Sequence, residues 1–311
     1  MKIFIYLLAI SIIFIAPFLG QMELDINNIT NPNSMHFKLF WDIRIPRLLV
    51  AFFAGSILSL GGLLFQSLFK NPMSTPYTLG VASGSTLGVA VAIVFGFASV
   101  SLFGFFGALF TILLLFSLTL KLKSYQTTSL LLVGIALSFF YNAVLMILFY
   151  LSSESQSFEI IRFTMGSVDV VGIEKTLPII ISSLALLFIT LFYKKELKLL
   201  LTSNAYAYLK GVNVKKTNTI LLLFVSVAVG VSVSLTGPIG FVGLIIPHIL
   251  KTIYKKSAEQ LIVPIFFYGG FFLVLSDLIA RNIGNSSNIP IGIVTAFLGG
   301  PFFIYLIMKR K

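Results

Sequence analysis

This sequence has no cysteine, two histidines, one tryptophan and only 10% charged residues among its 311 positions. The missing cysteine excludes disulfides, thiolate metal sites and a cysteine nucleophile, and it leaves the redox compartment open. His36 and His248 stand far apart in the chain, which gives no basis for a metal cage or a nucleophile triad. A phosphate loop of the form GxxxxGK(S/T) is absent too, so nucleotide hydrolysis of that kind is not expected of this chain. The scarcity of charge rules out an ordinary soluble domain, where about a quarter of residues are charged. No catalytic and no metal-ligating residue is assigned.

What is abundant is apolar sequence, 58% of the chain. Runs near the length that a bilayer core requires, about 20 residues, lie near 45–69, 102–120, 127–151, 176–193, 218–236, 260–280 and 290–308. A first run covers 3–19, and two shorter ones lie near 79–96 and 242–250. Together they predict an all-α polytopic membrane protein with about ten transmembrane helices. The first run, with its basic start at Lys2, could also be read as a secretory signal peptide. More membrane helices follow it, and no secreted domain does, so a retained first helix is expected.

The net charge of +12 raises nucleic acid as a partner, but the basic residues sit in short loops between apolar runs, not along one polar face. With the N-terminus inside, the inner loops hold Lys2, Lys70, Lys121 and Lys123, together with the basic residues of 194–216, 251–256 and 309–311. That is sixteen of the 22 Lys and Arg residues. The outer side keeps Lys38, Arg44, Arg47, Arg162, Lys175 and Arg281, with Trp41 as an interfacial aromatic in a polar loop at 21–43. This excess is the positive-inside signal, and it predicts that both termini are cytoplasmic.

Two apolar runs end in broken stretches. Asn71, Pro72, Pro76 and Gly80 interrupt the first, and Gly237, Pro238, Gly240, Gly243 and Pro247 interrupt the second. By alternation the preceding runs point in opposite directions, so the halves at about 44–151 and 218–308 read as an inverted repeat within a single transmembrane domain, 1–311. Broken helices of opposite direction mark a transport path near the repeat interface, because freed backbone in a bilayer is tolerated only inside protein or beside a wet cavity. Gln66, Ser67, Ser83, Gly84 and Ser85 are candidates to line that path, although small polar residues equally serve helix packing.

The longest inner loop, 194–217, contains a second signal. Thr202 or Ser203 can cap a short helix over 205–209, Gly211 can end it in the left-handed conformation, and Asn213 can start the next turn. Such a helix outside the membrane is either a handle for a cytoplasmic partner or a basic connector at the lipid headgroups. An amphipathic outer segment at 158–170 predicts another short surface helix.

Taken together, Arg44-Ile-Pro-Arg47, Gly61 to Gln66, Asn71-Pro72 to Pro76, Leu79-Gly80-Val81 with Ser83-Gly84, the run Gly237 to Gly243, Pro247-His248 and Pro290-Ile291-Gly292 to Pro301 resemble the permease family of ABC importers for ferric siderophores, haem and vitamin B12. The ordered set extends over nearly the whole chain. The resemblance implies a type II ABC importer permease fold in the bacterial cytoplasmic membrane. It implies a homodimer, or a pair with a close paralogue, joined by two cytoplasmic ATPase subunits and one extracytoplasmic binding protein. ATP and Mg would be bound on the ATPase and no cofactor on this chain, with a ferric siderophore as the default cargo.

In the same resemblance Ser203, Asn204, Ala207, Tyr208, Lys210 and Gly211 belong to the coupling helices that meet the ATPase. Arg44, Arg47 and Arg281 receive acidic residues of the binding protein, unless they only anchor the helices, with Arg281 paired to Asp277 one turn earlier. The chain departs from the usual pattern at Asn204, Lys210, Phe163, Lys251 and Asn288. The alternative function, an ion-coupled secondary transporter, requires ionisable groups within the membrane, and the reading finds a single well-buried acid, Asp277. An intramembrane enzyme would need a buried nucleophile with a base, and none is legible.

Overall fold

The computed structural model describes residues 2–121, 127–283 and 289–308, and among them the chain is helical with no strand. Lys123, Asn288 and the basic run 309–311 lie outside the described residues. The helices are α1 (Lys2–Ile15), α2 (Met35–Lys38), α3 (Ile45–Leu68), α4 (Val81–Phe95), α5 (Val100–Lys121), α6 (Thr127–Leu151) and α7 (Glu154–Thr164). They continue as α8 (Leu177–Phe192), α9 (Lys194–Thr202), α10 (Asn204–Leu209), α11 (Val214–Thr236), α12 (Val242–Tyr254), α13 (Ile262–Ile283) and α14 (Ile291–Met308). Five helical stretches are long and apolar enough to cross a membrane: Met35–Leu68, Leu132–Leu151, Ile173–Phe192, Val214–Thr236 and Ile262–Ile283. Among the described residues five shorter apolar helices, Tyr6–Phe18 across α1 and the turn after it and others within α4, α5, α12 and α14, stand at the other expected crossings.

The bundle is built around α3. Its 24 residues span ~36 Å, and nearly all those beyond Val50 are buried. α13, α12, α11 and α8 pack around it. Small residues let these helices approach: a Cβ on Gly55 would lie 2.3 Å from the Gly269 carbonyl oxygen, and one on Gly62 would lie 1.9 Å from that of Gly243. Hydroxyls reinforce the α3–α13 crossing, as Ser56 Oγ donates to Phe266 O and Ser59 Oγ to Ile265 O, both at 2.9 Å. Close backbone approach with hydroxyl bonding is the expected glue where lipid removes the hydrophobic drive.

The segments expected on the outer side are more helical than the sequence predicts. Ser34 Oγ accepts the Phe37 N–H at 3.0 Å and starts α2, and a π-helical turn over Leu39–Arg44 runs without interruption into α3. The aromatic rings of Phe37, Phe40 and Trp41 pack successively along it, at 6.4 and 5.3 Å between centroids, which explains why this part of the expected loop 21–43 is ordered. The surface helix expected at 158–170 is α7, which starts four residues earlier than expected and stops at Thr164. A capping box moves its start, with Ser153 and Gln156 exchanging side-chain and backbone bonds. Gln156 Nε2 also donates to Ile93 O and Val94 O at 3.2 Å, closing the end of α4. Helix α9 was not anticipated inside the loop 194–217, and it forms because Leu197 and Leu200 are buried on one side of it.

Candidate functional site: an arginine cluster, a broken core and an exposed loop helix

Both broken stretches lead the chain back into the bundle. After α3, Asn71 Oδ1 accepts the Met73 N–H at 3.0 Å, a 3-10 turn covers Pro76–Leu79, and Gly80 at φ 76 starts the short α4. After α11, Gly237 and Pro238 lead to Phe241, left-handed at φ 67, which starts the short α12. A left-handed non-glycine costs about 1–2 kcal/mol. Phe241 is held there against α14, where a Cβ on Gly299 would lie 2.4 Å from its ring. The two breaks touch: the Ile239 N–H donates to Tyr77 Oη at 2.6 Å.

The predicted path residues divide. Gln66 is a link between elements, its Nε2 donating to Gly243 O at 3.0 Å and its Oε1 accepting from Lys251 Nζ at 3.2 Å. Gly84 is packed on α5, where its Cβ would meet Thr111 and the Gly107 carbonyl, and Pro247 is buried within α12. Ser83 is half-buried, Asn71 is half-buried and Pro72 is exposed, while a Cβ on Gly240 would meet open space. Ser67 Oγ is bonded to its own helix, at Leu63 O, and Ser85 Oγ is buried with no partner.

At the arginine end of the bundle the three expected cations lie close together and buried, at 5%, 8% and 6% exposure for Arg44, Arg47 and Arg281. Arg44 donates to Pro17 O at 2.9 Å and to Met22 O. Arg47 Nε donates to Asp277 Oδ1 at 2.9 Å, and its other arm pairs with Asp169. Arg281 donates to Ala16 O at 2.8 Å, with its Nε 3.6 Å from Asp277 Oδ2. Buried charges must be paired and hydrogen-bonded, and here two arginines share one carboxylate. Asp169, the second partner of Arg47, was not singled out by sequence. Its side chain is 38% exposed while that of Asp277 is 3% exposed. Asp277 is not the only buried acid, since Glu259 is 4% exposed and accepts from Ser257 Oγ at 2.6 Å.

At the opposite end the loop 194–217 folds as its residues dictate. Ser203 Oγ accepts the Tyr206 N–H at 2.9 Å and caps α10, Gly211 turns left-handed at φ 82, and Asn213 Oδ1 caps α11 by accepting from Lys216 N at 3.0 Å. Ala207 points inward and is fully buried, with its carbonyl accepting from Val212 N at 3.0 Å. Tyr208 and Leu209 point outward at 74% and 81% exposure, and Lys210 Nζ lies 5.8 Å above the Tyr206 ring. A groove of about 810 Å³ runs beside this helix, lined by Asn204, Tyr208, Gly211, Asn213, Lys215 and Asn218. Among the described residues no three His, Asp or Glu side chains gather as a metal site.

The chain is 33% identical over 271 residues to a probable iron chelatin transport system permease of Helicobacter pylori, covering 87% of this chain and 82% of that one. It is 31% identical over 281 residues to a vitamin B12 import system permease of Yersinia pseudotuberculosis, covering 88% and 83%. A solved structure described as an inward-facing conformation of a metal-chelate type ABC transporter matches with a TM-score of 0.88 at 29% identity, over 98% of this chain and 97% of that one. The fold is thus that of an ABC importer permease. The model of the FecCD transport family matches residues 7–309, and the chain belongs to that family: it is a membrane permease of the metal-chelate, haem or vitamin B12 importer type.

Proposed function

We propose that this chain moves a ferric siderophore across the bacterial cytoplasmic membrane, as one of two permease copies driven by ATP hydrolysis on separate subunits. Haem and vitamin B12 are the runner-up cargoes. The observation that carries the reading is α10: a six-residue helix capped at Ser203, ended at Gly211, and presenting Tyr208 and Leu209 to the outside beside a wide groove. Two large exposed side chains on a short, doubly capped helix suit a partner that takes hold of it. Both termini and α10 then face the cytoplasm, and ATP with its Mg is bound by the partner.

Motion transmitted through α10 would act on the two short helices that start at Gly80 and Phe241. Their left-handed first residues and the Tyr77–Ile239 bond make the two breaks suitable places for the backbone change, with α4 and α12 moving as packed units. At the other end a binding protein docks. Of the three buried arginines, Arg47 has the more exposed partner, so an incoming carboxylate reaches it by replacing Asp169. Arg44 and Arg281 join this exchange only if they leave the carbonyls at the end of α1. The ion-coupled alternative has less support, because Asp277 is already held by Arg47 and Arg281.

The test uses the absence of cysteine from the chain. Tyr208→Cys is paired with a single cysteine on the candidate ATPase, and disulfide formation is followed in membranes with and without ATP. A nucleotide-sensitive crosslink supports the reading. Labelling of the same cysteine from outside the cell, with no crosslink, would overturn both topology and energy source. Uptake of labelled ferric siderophore, haem and vitamin B12 then separates the cargoes.

A further inference from the structure

Two adjoining cavities, of about 440 Å³ and 290 Å³, open at the arginine end. Arg162, Ser167 and Asp169 line both. Arg47 closes one side of the larger cavity, and most of its remaining wall is apolar, with Phe158, Ile161 and Pro290 among the lining residues. The smaller one runs toward α4 and the end of α11.

Arg162 lies on α7 and is exposed. Among the described residues it is the one arginine of the four at this end that makes no ion pair and no hydrogen bond to the protein. The acid on the shared wall is already engaged, since Asp169 pairs with Arg47 through Oδ1 and accepts from Ser167 Oγ at 2.8 Å through Oδ2. Glu159, one turn earlier on α7, lines the smaller cavity but forms no ion pair with Arg162. A full guanidinium therefore stands at the junction of two concave spaces with its donors unused.

We propose that this double cavity receives an anionic arm of the transported chelate, a carboxylate or a catecholate, with Arg162 as the contacting cation. The inference rests on the importer reading above and names the charge class of its cargo. Guanidinium presents a planar fork of donors that matches a carboxylate or a pair of phenolate oxygens. The larger volume falls in the range of small-molecule sites, with apolar walls and few polar groups.

The experiment measures uptake by the whole importer, with its own ATPase and binding protein, using a trianionic ferric tris-catecholate and haem as anionic probes and a ferric tris-hydroxamate as the neutral one. Arg162→Gln is expected to lower uptake of the anionic probes on the order of 10-fold, with Arg162→Lys recovering part of the loss. Uptake of the neutral probe, basal ATP hydrolysis and capture of the empty binding protein stay at the wild-type level. Equal loss for both charge classes, no loss for the anionic probes, or a wild-type chain that carries only the neutral probe overturns the proposal. Weakened capture of the empty binding protein overturns it in favour of a protein contact. A wild-type chain that carries none of these probes and no vitamin B12 overturns the importer reading as well, and is recognised by that wider failure.

Discussion

The Ile239 N–H donates to the Tyr77 hydroxyl at 2.6 Å, joining residues 162 positions apart. By that bond a side chain of the first interruption satisfies a backbone N–H that the second one frees. An unmade hydrogen bond at a buried backbone donor costs about 1–3 kcal/mol. Tyr77→Phe keeps the ring and removes the acceptor. It is expected to lower the thermal midpoint of the detergent-solubilised protein and to reduce uptake. A midpoint equal to the wild type would show that the bond carries no weight.

The Arg47 pairs differ in exposure, and substitutions should reflect it. Asp277→Asn leaves two buried arginines without their shared carboxylate, and breaking a buried pair costs about 3–5 kcal/mol. Asp169→Asn removes a partner that is 38% exposed, worth about 0–1 kcal/mol. Thermal unfolding of the two variants gives the comparison directly, and equal losses would contradict the ranking. On the exchange proposed for docking, Asp169→Asn should also tighten capture of the binding protein, because Arg47 is released from a competitor.

Gly62 and Gly240 make a matched pair for packing. Alanine at position 62 puts a methyl group 1.9 Å from the Gly243 carbonyl oxygen, so α3 and α12 must separate. Overpacking of this kind costs about 1–3 kcal/mol. Alanine at position 240 meets nothing within 4 Å. Expression level and thermal midpoint should fall for Gly62→Ala and hold for Gly240→Ala.

In the loop helix, Gly211 sits at φ 82 with open space around it. Gly211→Val therefore adds no clash and only forces a branched residue into the left-handed region, at a cost of about 1–2 kcal/mol. The spans remain as they are. Uptake is expected to fall more steeply than the amount of protein in the membrane, read by quantitative immunoblot beside the transport assay.

The spans and the two breaks were legible because apolar length and proline placement act locally. The same is true of α10, whose Ser203 cap, Gly211 turn and Asn213 cap each follow from a residue's own conformational preference. What could not be read was partnership at a distance. Nothing in the sequence near Arg47 points to Asp169, 122 residues away, nor does the local pattern turn Ala207 inward and leave Tyr208 outside. Glu259 escaped notice for a related reason: a glutamate in a basic loop looks solvated, and only the fold buries it beside Ser257. Helix α9 and the π-helical turn before α3 depend on burial of Leu197 and Leu200 and on aromatic packing, which become decisive only once neighbours are in place.

The end of α1 has a consequence for how the molecule is made. Ala16 O accepts from Arg281, 265 residues further on, and Pro17 O accepts from Arg44. The turn that follows α1 is thus secured in two instalments, one by Arg44 close by in the chain and the other by Arg281, which is made 237 residues after Arg44. Until then α1 is a segment awaiting its clamp. Ribosomes stalled before residue 281 should yield a chain whose α1 is readily cut by membrane-active proteases, and chains extended past Arg281 should resist them.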